Sequence, residues 1–505
     1  MKTVLNRFFR RLSIEHLWAL VALAGVFIFL NLHPIRPHDF WWHLAVGREI
    51  VSSGDIPAVD AYSLTQRGQP YPSYNMFWLM ELYFYLVYSL GGPALIVFGQ
   101  SLMVGSAYAI LLYLGWKRSG SCRLAAFTLL FAAALGMNDW NVRPQAITFL
   151  LAGVYLLAIH KLRAGKSKRW LLIFPLGMLV WANSHGSFFI GFVLLGLWLL
   201  QALWDGWRVG EVGGRWKGVR LPLPGLLGAG LAALLNPRGL GILSYLRDML
   251  SSSQVQALVP EWAAPSFDTL GGALFLLGLL LVAVNLALSP KRPNMFQLLA
   301  FLFFAALGLK TLRGSVWFGI VMAPELAEHL GALVGRFSKP GEENRTILPL
   351  AQKLNALMAG LVLLSVLITL PWFKEKLPLP ELKRGLISAE TPVESTRFLL
   401  ENQLPGALVH DLAYGSYLIW AGQPEYPVFV DPRIELYPIE HWLVYLSIIN
   451  VESDWQSNLS LYGIQTLMLD KQNQRELRLV LSSSPMWDLV FDDKNTSVFT
   501  IRSIP

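Results

Sequence analysis

Between His33 and Thr65 the chain reads "HPIRPHDFWWHLAVGREIVSSGDIPAVDAYSLT", which gathers three aspartates, three histidines and two tryptophans. Asp39 stands between His38 and the aromatic run Phe40, Trp41, Trp42. A carboxylate in that setting suits general-base work on a hydroxyl, with His38 as a neighbouring partner. Aspartate is also a common helix cap, so Asp39 is equally a candidate N-cap for a helix starting near Trp41, and the two roles are compatible. A metal reading would use His38, Asp39 and His43 with Glu81 as a distant fourth ligand. Three ligands within six residues match no established spacing, and a D-x-D is absent, so the sequence reads as metal-independent. Asp55 and Asp60 in "SGDIPAVDAYS" read as turn formers.

A second set of ionisable groups is scattered along the chain at the ends of apolar runs: Asn138, Asp139 and Arg143 in "GMNDWNVRPQ", Asn183 and His185 in "WANSHGSFF", Asn236 and Arg238 in "LNPRG", Glu261 in "VPEW", and Lys310 and Arg313 in "GLKTLRG". Ionisable groups at membrane depth are costly and tend to mark function. Arg143, Lys310 and Arg313 lie in very short connections. Each could simply snorkel to lipid head groups. Together, beside His185 and Glu261, they read as a pocket for an anion, and a lipid-linked phosphate rising from the bilayer would suit the planar fork of arginine.

The elements that must position these groups are membrane spans. Of 505 residues, 54% are hydrophobic and 15% charged, which marks a polytopic membrane protein. Candidate spans lie at about 16–32, 93–115, 123–136, 144–160, 170–184, 188–204, 221–235, 270–288, 295–308, 314–333 and 354–371. With the N-terminus inside, as Lys2, Arg7, Arg10 and Arg11 require, the inner segments hold 22 Lys and Arg and the outer loops 8. That alternation holds only if 75–92, which ends in "SLGG", lies at the outer interface and is not a span. The net charge of +8 therefore follows membrane topology and does not indicate a nucleic-acid partner. The single cysteine, Cys122, excludes an intrachain disulfide. The loop "SKPGEENRT" has a disorder-prone composition.

After residue 371 the pattern becomes that of a small α/β domain, 372–505, on the outer face. Strand-like runs "ALVHD", "VFVD", "TLMLD" and "WDLVFDD" alternate with helical segments "TPVESTRFLLENQ" and "QRELRLVLSS". Thr391 reads as an N-cap with Pro392 in the first helical position. Asp411, Asp431, Arg433 and Glu435 fall near strand ends, where ligands often bind. The plainer reading, solvated loop residues, is preferred. The transmembrane domain is then 1–371, including the first outer loop 33–92.

The strings "HDFWWHLAVGREIVSSGDIPAVDAYS", "NVRPQ", "WANSHGSFF", "LNPRG", "VPEW" and "VFVDPRIELYP", with the N-in first helix, the acidic first outer loop and the soluble C-terminal domain, resemble the GT-C superfamily of integral membrane glycosyltransferases. The resemblance spans the chain and points to a bacterial group distantly similar to protein O-mannosyltransferases. It implies an inverting transferase of the bacterial inner membrane, acting in the cell envelope without a cofactor. Such an enzyme moves a sugar from a polyprenyl-phosphate donor to a lipid, glycan or protein acceptor. It implies Asp39 as base, Arg143, Lys310 and Arg313 as binders of the lipid phosphate, and His185 as a hydrogen-bond donor to that phosphate, in keeping with the charge that develops on it as it departs. His43 and Glu261 complete the substrate-binding candidates. Protein O-mannosyltransferases carry a paired Asp-Glu in this loop, whereas here Asp39 is flanked by His38 and Phe40. Two rival readings are a transporter or flippase of lipid-linked sugars, which would carry midplane charges and repeat symmetry, and a non-catalytic envelope assembly protein.

Overall fold

The structure is a computed structural model that describes residues 13–71, 74–209, 218–251, 260–337 and 349–502. The disorder-prone loop "SKPGEENRT" lies outside the described residues. The chain is a polytopic α-helical membrane protein with a small C-terminal sheet, and it divides into two compact units. The first gathers the chain up to His33, Val97–Ser251 and the stretch that ends at Leu377; the second joins Pro34–Ile96 to the chain from Pro378 onward. The sequence reading kept 33–92 with the spans. Hydrogen bonding within the second unit accounts for the difference: Ile35 bridges Ile387, Ser63 bridges Val428, and the Trp42 amide donates to Ser416 Oγ at 3.0 Å.

In the first unit the apolar runs become helices because hydrocarbon leaves backbone groups no partner except their own turn. Seven helices among the described residues are long and apolar enough to cross a membrane. Ile173–Ala182 and Pro222–Ala233, read as spans, have only 10 and 12 helical residues. At 1.5 Å per residue, each reaches about half the hydrocarbon thickness of roughly 30 Å. They pack closely on one another: a Cβ on Gly225 would meet Phe174 at 2.8 Å. Ser315–Phe337 packs on Cys122–Gly136 through small residues, with Gly319 over the backbone of Ala132. Close helix approach through small residues is how membrane helices gain contact without a hydrophobic driving force.

The Ser315–Phe337 helix carries Glu325 and His329 in its buried face. Arg118 is paired with Glu325 and lies 3.5 Å from Glu328, which also binds Lys291. Gln297 donates to Glu325 at 2.7 Å and to Glu328 at 3.2 Å. This network ties three helices together.

The expected break at "SLGG" is present. Tyr74–Ser119 is helical on both sides of Gly91 and Gly92, whose φ of 60° with ψ of −156° suits glycine.

The second unit holds a four-stranded mixed sheet. Its strands are β1 (Ala407–His410), β2 (Ile464–Asp470), β3 (Trp487–Asp492) and β4 (Thr496–Ile501), in spatial order β1-β2-β4-β3. β1 and β2 are parallel and the other pairs antiparallel. β4 was not anticipated. "VFVD" forms no strand; Val428, Phe429 and Val430 are wholly buried, and Val428 makes a single bridge to Ser63. The helix expected to start at Pro392 is Val393–Asn402, with Pro392 in the cap position instead of Thr391. A helix at Phe40–Ser53 lies against one at Leu412–Ala421, with Trp41 on Tyr417 and Arg48 on Trp420.

His410 gives this unit a pH dependence. Its Nε2 accepts the Phe429 amide proton at 3.2 Å and its Nδ1 lies 2.9 Å from the Asp411 carbonyl, so the proton sits on Nδ1. Burial lowers its pKa to about 4, against smaller upward effects of the Asp411 carbonyl and the Asp431 charge. Below the unfolded value of about 6.5 the unfolded chain binds a proton that the folded chain refuses. Stability from this group is therefore complete above about pH 6.5 and declines toward pH 4, at up to about 1.4 kcal/mol per pH unit. Hydrogen exchange of 464–470 in the intact protein should quicken between pH 6.5 and 4.5 beyond the intrinsic rate, and His410→Asn should flatten that dependence.

Candidate active site

The first unit brings Arg143, Glu261 and Arg313 together. Arg143 sits in the turn before the helix Ala146–Arg163, Glu261 in the short turn Pro260–Trp262, and Arg313 in the turn Leu312–Gly314 that links two helices. The Leu312 amide donates to the Ala263 carbonyl at 2.8 Å and so fastens two of these turns. Arg143 Nη1 donates to both oxygens of Glu261, at 3.0 and 3.1 Å. Arg313 Nε is 3.9 Å from Glu261 Oε2, and its Nη2 donates to Gln145 Oε1 at 3.0 Å. Trp262 faces the Arg313 guanidinium at 5.9 Å. One carboxylate thus holds two guanidiniums, and the buried Asp139 carboxyl lies close enough to interact with all three charges. An arrangement of two forks around one carboxylate can accept an oxyanion with little rearrangement.

His185 precedes the turn Gly186–Phe188, and its Nδ1 accepts the Ser187 amide at 3.0 Å. That bond leaves the ring proton on Nε2. Burial lowers its pKa to about 3, and the charges of Arg313 and Arg143 push the same way, so the ring is a neutral hydrogen-bond donor at ordinary pH. Asn183, in the same connection, donates to the Leu179 and Leu235 carbonyls at 2.8 and 3.0 Å and ties two turns together. Arg238 lies over Tyr245 at 4.8 Å, with its amide on Asn236 Oδ1. Lys310 is exposed at the end of Met295–Lys310 and makes no hydrogen bond or ion pair among the described residues. Gln145 and Trp262 were not singled out from sequence. Both stand in the quoted strings, Gln145 two residues beyond Arg143 in "NVRPQ" and Trp262 directly after Glu261 in "VPEW".

In the second unit, Asp39 occupies the N-cap of Phe40–Ser53. Its carbonyl accepts the His43 amide at 3.3 Å, and its carboxylate makes no capping hydrogen bond. The capping reading therefore applies to the backbone and not to the side chain. Asp39 and His38 are half-buried. His43 points elsewhere: its Nδ1 is 2.9 Å from the Glu81 carboxylate, and its ring lies 3.5 Å from Trp42 and 5.1 Å from Phe77. Both His43 and Glu81 are buried.

The charged groups that the sequence placed near strand ends differ from their expected state. Asp411, Asp431 and Arg433 are buried, and only Glu435 is exposed. Arg433 donates to Asp431 through Nε at 2.8 Å and Nη2 at 2.7 Å, and to Asp60 through Nη1 at 2.6 Å. The rings of Tyr62 and Tyr71 each lie 5.5 Å from its guanidinium, and Tyr437 donates to Asp431. Burial alone would raise the Asp431 carboxyl, but the Arg433 charge and its hydrogen bonds prevail and hold it below the usual range. Asp60 does shape its turn, accepting the Ser63 amide at 2.9 Å, and pairs with Arg433 as well. Replacing Arg433 by alanine leaves two buried carboxylates without their cation, which should cost roughly 3–5 kcal/mol. Faster hydrogen exchange of both 407–410 and 58–64 in Arg433→Ala would register that loss.

No protein-family model and no curated protein matches the sequence. Solved structures do. The archaeal oligosaccharyltransferase AglB from Archaeoglobus fulgidus, in complex with an inhibitory peptide and a dolichol-phosphate, aligns with a TM-score of 0.54 at 12% identity over 97% of this chain and 75% of that one. The arabinofuranosyltransferase AftD from Mycobacteria aligns with a TM-score of 0.54 at 14% identity over 97% of this chain and 40% of that one. These likenesses show that the chain shares the fold of these two structures.

Proposed function

We propose that this protein is an inverting membrane glycosyltransferase that moves a sugar from a polyprenyl-phosphate donor to an acceptor hydroxyl on a lipid, glycan or protein. The observation that carries the reading is the pair of guanidiniums, Arg143 and Arg313, held by Glu261 beside a neutral His185. The fold supports it, since AglB is a transferase solved with a dolichol-phosphate.

In the proposed reaction the acceptor oxygen attacks the anomeric carbon as the bond from that carbon to the phosphate oxygen breaks. The phosphate departs with the bonding pair, and Asp39 takes the hydroxyl proton, with His38 next to it in the chain as its partner. Arg143 and Arg313 hold the lipid phosphate, Glu261 positions both guanidiniums, and His185 donates a hydrogen bond; fixed donors of this kind stabilise developing charge where water is scarce. Lys310, exposed at its helix end, adds longer-range attraction for the donor. His43, buried against Glu81, acts by fixing the helix that carries Asp39. We assign the protein to the bacterial inner membrane, with its N-terminus in the cytoplasm and its site and C-terminal domain outside.

Asp39→Asn keeps the shape and removes the base, so transfer from a polyprenyl-phosphate sugar in purified, folded protein should fall by about 10²–10⁴-fold. Unchanged transfer would exclude Asp39 as the base. Arg313→Ala should weaken donor binding far more than acceptor binding; equal loss of both would point to a folding defect instead.

A further inference from the structure

The second unit contains an open cleft of about 530 Å³, lined by Arg48, Asp60, Tyr62, Arg67, Gln423 and Pro424 with Ala61 and Gly68. None of these residues has a part in the proposed transfer. The acids near the cleft are already committed: Asp60 accepts from Arg433 and from the Ser63 amide, and Glu49 accepts the Tyr62 hydroxyl. The bases are not. Arg48 is held by the Trp420 ring at 4.5 Å and by the Trp420 carbonyl at 3.2 Å, two contacts that fix the guanidinium without neutralising it. Arg67 is exposed and makes no hydrogen bond or ion pair among the described residues. The cleft therefore presents two guanidiniums that lack an acidic partner, and such forks select carboxylate or phosphate.

Gln423 narrows the choice. Its amide nitrogen donates to the Tyr62 and Tyr426 carbonyls at 3.0 and 3.1 Å, which uses both of its protons and leaves Oε1 to accept from a ligand hydroxyl. Ala61, Gly68 and Pro424 add C–H surface to the open lining. A ligand with anionic groups, hydroxyl donors and C–H faces matches this lining better than an acidic peptide or a lipid head group.

We propose that this cleft binds an acidic glycan, with Arg48 and Arg67 on its carboxylate or phosphate groups and Gln423 on a ring hydroxyl. The site is independent of the transfer reaction proposed above.

Calorimetry on the full-length protein in neutral detergent at low salt tests it with three probes: hexagalacturonate, a phosphorylated mannohexaose and neutral maltohexaose. At least one acidic hexasaccharide should bind about tenfold or more tightly than maltohexaose, and which of the two binds identifies carboxylate or phosphate as the anion. The double variant Arg48→Gln/Arg67→Gln should lose that preference with an unchanged unfolding temperature. Arg67→Glu alone, at an exposed position, should weaken binding at least as much as removing the charge, and Gln423→Leu should weaken the neutral contribution. Equal affinity for maltohexaose, or undiminished acidic binding in both arginine variants, would overturn the proposal. So would tighter binding of phosphatidylglycerol vesicles or of poly-glutamate, run as controls in the same calorimetry, than of either acidic hexasaccharide.

Discussion

An ionised side chain surrounded by apolar atoms must be held by an opposite charge, because desolvation otherwise exceeds what any other contact returns. Each unit of this protein is arranged around that constraint. In the first, Glu325 and Glu328 hold Arg118 and Lys291 between helices, and Glu261 holds Arg143 and Arg313 at the turns. In the second, Asp60 and Asp431 close on Arg433. Exposure separates these clusters by use. Arg433 is outnumbered by carboxylates and fully buried, as a structural pin would be. Around Glu261 the two guanidiniums are partly exposed, with donors left over for a further anion, and the buried Asp139 carboxyl lies near them.

Those spare donors give the proposed chemistry a physical basis. A phosphate arriving at Arg143 and Arg313 meets donors already oriented by Glu261 and Gln145, so little side-chain entropy remains to be lost when it binds. His185, kept neutral by burial and by the same two cations, offers a hydrogen bond without adding another charge. Glu261 tempers the cluster: without it, two like charges would repel each other and drift apart.

Much of this was legible in the sequence, and the reasons differ by residue. Seven of the eleven spans read from the sequence are helices long and apolar enough to cross a membrane among the described residues, and they were visible because a helix in lipid must be apolar on every side. The turn cations stood out as exceptions to the inside excess of Lys and Arg, which is how Arg143 and Arg313 were found. Arg433 was misread as solvated because its partner Asp60 is 373 residues away, and no local pattern signals a pair at that distance. "VFVD" looked like a strand because burial on all sides produces the same apolar run as a central strand. The helix-terminal backbone role of Asp39 was readable; the absence of a side-chain cap was not, since it depends on a backbone of φ −63° and ψ −30° at that residue.

The claim that the Arg143–Glu261–Arg313 cluster is the lipid-phosphate site is tested most directly by native mass spectrometry of the detergent-solubilised protein titrated with undecaprenyl phosphate. Wild type should retain one phosphate lipid in preference to the uncharged undecaprenol, and Arg143→Gln/Arg313→Gln should lose that preference while keeping its fold by circular dichroism. Retention of the phosphate lipid by the folded double variant at wild-type levels would contradict the account.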